Sequence, residues 1–107
     1  MSRRSAVADV FQAIADPTRR GILELLGEGE QPVTELARRF NVTLSAISQH
    51  MRVLREVGLV SARPSGRERL YRLNAAALKE VSDWVSRYEP FWRERLDALS
   101  EHLEKEE

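Results

Sequence analysis

A mainly helical fold with one small β-hairpin is predicted for this chain of 107 residues. Apolar residues recur at helical spacing up to about residue 57 and again after about residue 74. Between these regions, "LVSARPSGRERLYRLN" loses the helical period and places a Pro-Ser-Gly turn signal between two apolar runs. The length favours one domain that spans the whole chain.

The first forty residues predict three helices. The apolar spacing in "SAVADVFQAIAD" places the first over about 4–15. The second starts at Pro17 with Asp16 as its N-cap, a favoured pair of start signals, and stops at "GEGEQP". "VTELARRF" follows as a short third helix, and Asn41 after it tolerates the left-handed backbone that a tight helix exit requires.

A fourth helix is predicted over about 44–57, with Thr43 as its N-cap and Gly58 just after its C-terminus. At roughly 100° per residue, one side of this helix is an apolar stripe that must face the core. The stripe consists of Ile47, Met51 and Leu54, with Leu44 beside them.

The hairpin and a last helical region complete the chain. Tyr71 lies inside an apolar run of the hairpin, which favours a core position over a contact with a base. Asn74 can cap the last helical region. Pro90 is expected to divide that region into segments over about 75–88 and 91–105.

This order of elements predicts a winged helix-turn-helix, because two short helices joined by a tight turn are followed by a β-hairpin. The helix-turn-helix covers about 33–57 and the hairpin, over about 59–74, is the wing. The segments over about 75–105 are predicted to be terminal helices that form the dimer.

The fourth helix has a polar side opposite its apolar stripe, where a recognition helix would enter the DNA major groove. Gln can pair with adenine, Arg with guanine, and Ser with a base or a phosphate, while a small Ala permits close approach. The alternative is an ordinary solvated back of an amphipathic helix. The candidate groove-facing residues are Ser45, Ala46, Ser48, Gln49 and Arg52.

The formal net charge of zero averages over unlike parts of the chain. Residues 38–74 hold eight arginines against Glu56 and Glu68, whereas acidic residues are in excess on both sides. Local potential decides what a surface attracts, so the middle third can bind a polyanion such as double-stranded DNA.

The wing carries several of these arginines around Gly66, which allows a tight tip. An arginine there can contact phosphate or enter a narrow minor groove, and Arg67 is nearest the tip. Alternatively, Arg63, Arg69 or Arg72 covers the sheet or pairs with Glu68, which we expect of at least one. The candidate wing contacts are Arg63, Arg67 and Arg69.

Several classes of function are disfavoured. The chain has no cysteine and only two histidines, 52 residues apart, so no metal site or other cofactor is expected. His50 lies at the edge of the apolar stripe, which favours a half-buried structural role. The sequence shows neither a nucleophile paired with a base nor a glycine-rich phosphate loop, so an enzyme is not predicted. No apolar run approaches a membrane span, and the chain is interpreted as cytoplasmic and nucleoid-associated.

The C-terminal region has more apolar surface than a short terminal segment needs for its own core, which favours burial against a second copy. Trp84 fits this role or a cap on the monomer core equally well. The candidate interface residues in this region are Tyr88, Phe91, Trp92, Leu96, Leu99 and Leu103.

The segments "FQAIADPTRRGILELL", "VTELARRFNVTLSAISQHMRVLREVGLV" and "SGRERLYRLN" resemble, in order, the ArsR-type winged-helix regulators. The resemblance covers about residues 5–103, and the tail resembles the SdpR-like branch and regulators found beside START-type (SRPBCC) proteins. It implies a homodimeric repressor or autorepressor that binds an imperfect palindrome. It also implies dimer contacts from the first helix, here Val7 and Phe11.

The chain departs from the metal-sensing members of that family. It lacks the Cys-x-Cys pair of their third helix and the paired ligands of their last helices. The mechanism in which metal binding releases a repressor from DNA is therefore not expected of this chain. Its effector, a small molecule or a protein, stays unknown. The alternative function is a winged helix that binds protein rather than specific DNA.

Overall fold

The computed structural model describes the main chain of residues 6–105 and the side chains of residues 10–105. Helices dominate, and three short strands form one antiparallel sheet, as the predicted fold class requires. In chain order, the elements are α1 (Ala6–Ile14), α2 (Pro17–Leu26), β1 (Gln31–Pro32), α3 (Val33–Phe40), α4 (Leu44–Glu56), β2 (Val60–Ser65), β3 (Glu68–Leu73), a 3₁₀ turn (Ala75–Leu78), α5 (Lys79–Ser86) and α6 (Glu89–Lys105).

The predicted helix boundaries are confirmed where a capping residue marks them. The Asp16 carboxylate accepts a hydrogen bond from the backbone N–H of Arg19 at 3.0 Å, and Pro17 occupies the first turn of α2. Asn41, the residue just after α3, has the left-handed conformation, with φ of 53°. Thr43 Oγ1 accepts from the Ala46 N–H at 3.1 Å and so caps α4.

The prediction of a two-stranded hairpin was incomplete, because β1 adds a third strand. The strand order is β1-β3-β2, and Gln31 and Pro32 lie opposite Tyr71 and Leu70. A two-residue strand is too short to show a period of two, and a proline is not a residue that indicates a strand. Proline is tolerated here because β1 is an edge strand.

The core lies where α2, α3 and α4 meet the inner face of the sheet. Ile47 and Leu54 of α4 are fully buried, and Tyr71 of β3 is buried as predicted. Leu44 was wrongly placed beside this stripe, since 52% of it is exposed. It is the first residue of α4, one turn before Ile47, and the packed part of the helix starts only at Ile47.

Two expectations for the C-terminal region were also wrong in detail. Asn74 does not cap a helix, because its Nδ2 donates to the Gly58 carbonyl at 2.8 Å. The break between the last helices lies at residues 87–88, and α6 already begins at Glu89. Pro90 therefore sits in the first turn, where a helix does not use the missing N–H.

Among the described residues, no helix is both long and apolar enough to cross a membrane.

Candidate nucleic-acid interface

The polar side of α4 faces solvent. Ile47, Met51 and Leu54 anchor the opposite side in the core, where α4 packs against α3, α2 and β2. This anchoring leaves the predicted groove-facing residues on the outside of the molecule. Four of them are exposed and Ala46 is half-buried; the exposed four are Ser45, Ser48, Gln49 and Arg52.

These exposed side chains have unused hydrogen-bonding capacity. Within the part of the chain that the structure describes, no side-chain hydrogen bond or ion pair engages Ser45, Ser48, Gln49 or Arg52. A glutamine amide offers both donor and acceptor atoms, and an arginine offers a planar fork of donors. The surface therefore combines exposed hydrogen-bonding groups of the kinds that pair with base edges.

His50 ties α4 to the corner between α1 and α2. Its Nδ1 lies 3.3 Å from Arg19 Nη1 and 3.9 Å from a carboxylate oxygen of Asp16. Arg19 also donates through Nε to the Ala13 carbonyl at 2.6 Å, near the C-terminus of α1. The backbone hydrogen bond from Arg19 is the main cause that lowers the pKa of Asp16. The predicted half-buried structural role of His50 is thus confirmed, but its partners could not be found from the sequence.

The wing tip is a tight turn with φ of 63° at Gly66, a conformation that favours glycine. Arg67 follows Gly66 in this turn, and Arg69 is the second residue of β3. Both arginines are exposed, and among the described residues neither has a hydrogen-bond or ion-pair partner. Their positive charge is therefore available to a polyanion.

The other two wing arginines have partners within the protein. Arg63 donates through Nε and Nη2 to the two carboxylate oxygens of Glu30, both at 2.9 Å. Arg72 Nε donates to Ser61 Oγ at 3.1 Å. The expected pairing with Glu68 does not occur among the described residues, where Arg63 pairs with Glu30 instead.

The candidate dimer surface is an exposed apolar face on α5 and α6. Trp84 packs edge-on against Phe11 of α1 at 5.2 Å between ring centroids and against Tyr88 at 5.3 Å, yet 45% of it remains exposed. The side chain of Val7 lies outside the described residues. The remaining predicted interface residues are between 48% and 64% exposed: Tyr88, Phe91, Trp92, Leu96, Leu99 and Leu103.

No group of three or more His, Cys, Asp or Glu side chains within the described residues could hold a metal ion.

Comparison with known proteins identifies the family. A helix-turn-helix domain model matches residues 14–62, which run from the end of α1 into β2. The transcriptional regulator Rv2034 of Mycobacterium tuberculosis is 38% identical over 96 residues, covering 90% of this chain and 87% of that protein. The chain belongs to the ArsR-type family of winged helix-turn-helix transcriptional regulators.

Two further relatives of this ArsR-type regulator extend the comparison. The repressor SdpR of Bacillus subtilis is 36% identical over 77 residues, covering 72% of this chain and 86% of SdpR. The solved homodimeric winged helix-turn-helix DNA-binding domain Mb0332 of Mycobacterium bovis superposes with a TM-score of 0.65 at 30% identity. That match covers 82% of this chain and 92% of the other. The predicted fold and the predicted function as a DNA-binding transcriptional regulator are confirmed.

Proposed function

We propose that this ArsR-type regulator is a homodimeric repressor that binds a palindromic operator with the exposed face of α4. The observation that carries the proposal is the set of exposed polar side chains on α4 without a partner among the described residues, opposite a stripe that is buried in the core. This arrangement fixes the direction in which the helix presents its polar groups. Such a role belongs in the cytoplasm, on the nucleoid, and needs no catalytic chemistry.

Each predicted groove-facing residue of α4 has a role that its chemistry suits. Gln49 can form two hydrogen bonds with adenine, and Arg52 can contact N7 and O6 of guanine. Ser45 and Ser48 can contact a base or a phosphate. Ala46 is half-buried and small, so it permits close approach and can meet a thymine methyl group.

The wing tip supplies contacts that fix the position of the protein on the duplex. Arg67 and Arg69 are exposed and have no partner among the described residues, so each can neutralise a phosphate. Arg67 at the tip also has the better position for a narrow minor groove, where negative potential is enhanced.

The exposed apolar face of α5 and α6 supports the homodimer. Six apolar side chains, each about half or more exposed, give this face more apolar surface than a monomeric protein usually leaves in water. The homodimeric state of the related Mb0332 domain points the same way. A twofold dimer places two copies of α4 on half-sites about 34 Å apart, which makes a palindromic operator the expected target.

The deciding experiment is a titration of the purified protein with its own promoter DNA at several salt concentrations, with scrambled DNA as a control. We expect tight, salt-sensitive binding that prefers the promoter. Arg67→Ala should weaken binding to both DNAs and reduce the salt slope by about one unit per protomer. Lys79→Ala in α5 removes the same charge outside the wing, where Lys79 is paired with Asp83, and should leave binding unchanged.

Equal, weak binding to promoter and scrambled DNA, followed by a genome-wide binding map without peaks, would contradict the proposal and favour a protein-binding winged helix. The sign of regulation needs its own measurement. Deletion of the gene should raise expression from the bound promoter if the protein is a repressor, and a fall would identify an activator.

A further inference from the structure

Arg63 and Glu30 form a bidentate ion pair that connects β2 with the residue just before β1. Arg63 lies on β2, and Glu30 directly precedes β1. Because the strand order is β1-β3-β2, the pair joins the sheet edges from opposite sides of β3. Both nitrogens of the guanidinium fork meet both carboxylate oxygens, each at 2.9 Å, which is the most directional form of such a pair.

The strand register shows which face of the sheet the pair crosses. Arg63 lies opposite Leu70, and Leu70 lies opposite Pro32, so these three residues share one face. Tyr71 and Ala62 lie on the other face, which packs on the core. The Arg63 side chain therefore reaches over the solvent side of β3 to Glu30.

The two partners belong to different parts of the site. Glu30 is close to the helix-turn-helix, because β1 ends at Pro32 and α3 begins at the next residue. Arg63 lies on the wing, three residues before Gly66 at its tip. A two-residue β1 offers few backbone hydrogen bonds to hold the wing beside α3. A side-chain tie therefore adds a restraint that the short ladder lacks.

We propose that Glu30 and Arg63 form a clasp that fixes the wing relative to the helix-turn-helix, and that Arg63 positions Arg67 instead of contacting phosphate itself. This inference rests on the proposed function. A phosphate contact by Arg63 would require both hydrogen bonds to Glu30 to break and would leave the Glu30 carboxylate near the DNA backbone. The Arg63 hydrogen bond lowers the pKa of Glu30, so this carboxylate is charged at neutral pH.

The effect of Glu30→Gln on DNA affinity separates the two roles by its sign. If charge alone mattered, removing an acidic group beside the wing would strengthen DNA binding and leave Arg63 free for phosphate. If the clasp matters, the same change weakens binding because the wing loses its restraint. Since the pair is partly exposed, we expect a loss of roughly two- to fivefold, with an unchanged salt slope.

The experiment compares promoter binding, across salt concentrations, for the wild type and four variants: Glu30→Gln, Arg63→Lys, Arg63→Glu and the charge swap Glu30→Arg with Arg63→Glu. Arg63→Lys keeps the charge but loses the fork and should weaken binding as Glu30→Gln does. Arg63→Glu should be the weakest, and the swap should recover most of that loss. Thermal unfolding confirms that each variant is folded.

Three results would overturn the clasp. Glu30→Gln could bind DNA more tightly, with a salt slope steeper by about one unit per protomer, or it could bind with the affinity of the wild type. The third such result is a charge swap that binds DNA no more tightly than Arg63→Glu does. Amide hydrogen exchange of β2 and β3 in the free protein tests the clasp without DNA. Faster exchange in Glu30→Gln that the swap reverses supports it, and equal rates refute it. A wild type that binds neither its promoter nor any other genomic site would contradict the proposed function, while this exchange measurement would still decide the clasp.

Discussion

Removal of the cap on α4 should cost both stability and DNA affinity. Thr43 Oγ1 accepts one hydrogen bond, at 3.1 Å, from the Ala46 N–H at the start of the helix. This N–H has no partner within the helix, because the first four amide groups of any α-helix lack one. Thr43→Ala removes the acceptor and leaves the rest of the exposed residue almost unchanged.

The expected cost is about 1 kcal/mol, the usual loss when a Ser or Thr N-cap becomes Ala. Thr43 is exposed, so loss of its methyl group adds little. For a domain of this size, 1 kcal/mol corresponds to a fall in Tm of roughly 4–8 °C. The measurement is thermal unfolding at one fixed protein concentration, since the stability of a dimer depends on concentration.

The same turn carries the residues that are proposed to meet DNA. Ser45 and Ala46 lie within the first turn of α4, so a frayed turn must re-form on the operator. A cost of about 1 kcal/mol per protomer is equivalent to roughly a fivefold loss of affinity for each half-site, with no change in salt slope because no charge is removed. Thr43→Ser retains the hydroxyl and serves as the matched control. If Thr43→Ala melts and binds like Thr43→Ser, the cap does not stabilise α4 and the reasoning is wrong.

Three further changes test other contacts. Gln49→Ala should weaken binding at only one or two base pairs in a panel of mutated operators, and an equal loss on every sequence would exclude Gln49 as a base reader. Gly21→Ala places a Cβ 2.7 Å from Phe40 Cε1, so the overpacking cost of about 1–3 kcal/mol should exceed the gain in helix propensity of about 1 kcal/mol. In a Phe40→Leu background, denaturant unfolding should show the same change to be stabilising, and a stable single variant would show that the ring moves away freely. For Asp16, the folded-state pKa is lowered, so the stability from its carboxylate is present above about pH 3.9 and is lost as pH falls through the folded value. Asp16→Asn keeps a good cap but should flatten this acid dependence in unfolding titrations, and an identical pH profile would contradict the assignment.

Signals that depend on neighbouring residues were predicted well from the sequence. Asp16 with Pro17, Thr43 and Asn41 each act within one helical turn, and the structure places all of them as expected. The apolar period of α4 likewise predicted its buried side, since that pattern repeats every turn of the same helix. The prediction that Leu44 faces the core was wrong, because periodicity shows which side of a helix is buried but not at which residue the buried part begins.

Contacts between distant residues could not be predicted. Arg63 and Glu30 are 33 positions apart, and His50 and Arg19 are 31 apart, so no local pattern links either pair. The short β1 was hidden for a related reason, because it becomes a strand only through pairing with β3. The candidate site was therefore predicted as a set of residue types, while the partners that orient those residues required the structure.

The structure also divides the eight arginines of residues 38–74 into two groups. Three have partners within the described residues: Arg38 with Glu35, Arg63 with Glu30, and Arg72 with Ser61. The others have neither a hydrogen-bond nor an ion-pair partner there: Arg39, Arg52, Arg55, Arg67 and Arg69. To neutralise a phosphate, Arg38 and Arg63 would have to give up a carboxylate partner, whereas Arg72 keeps its full charge because its partner is a neutral hydroxyl.

This division predicts a limit on the salt dependence of operator binding. Each neutralised phosphate contributes about 0.9 to the slope of log K against log salt, so the six arginines without a carboxylate partner give at most about 5.4 per protomer and about 11 per dimer. All eight arginines would give about 14 per dimer. A measured slope well above about 11 would require Arg38 or Arg63 to exchange its carboxylate partner for phosphate, or basic residues outside 38–74 to contact DNA, and Arg63 would be the first to re-examine. A slope at or below about 11 would agree with Arg38 and Arg63 keeping their carboxylate partners in the complex with DNA.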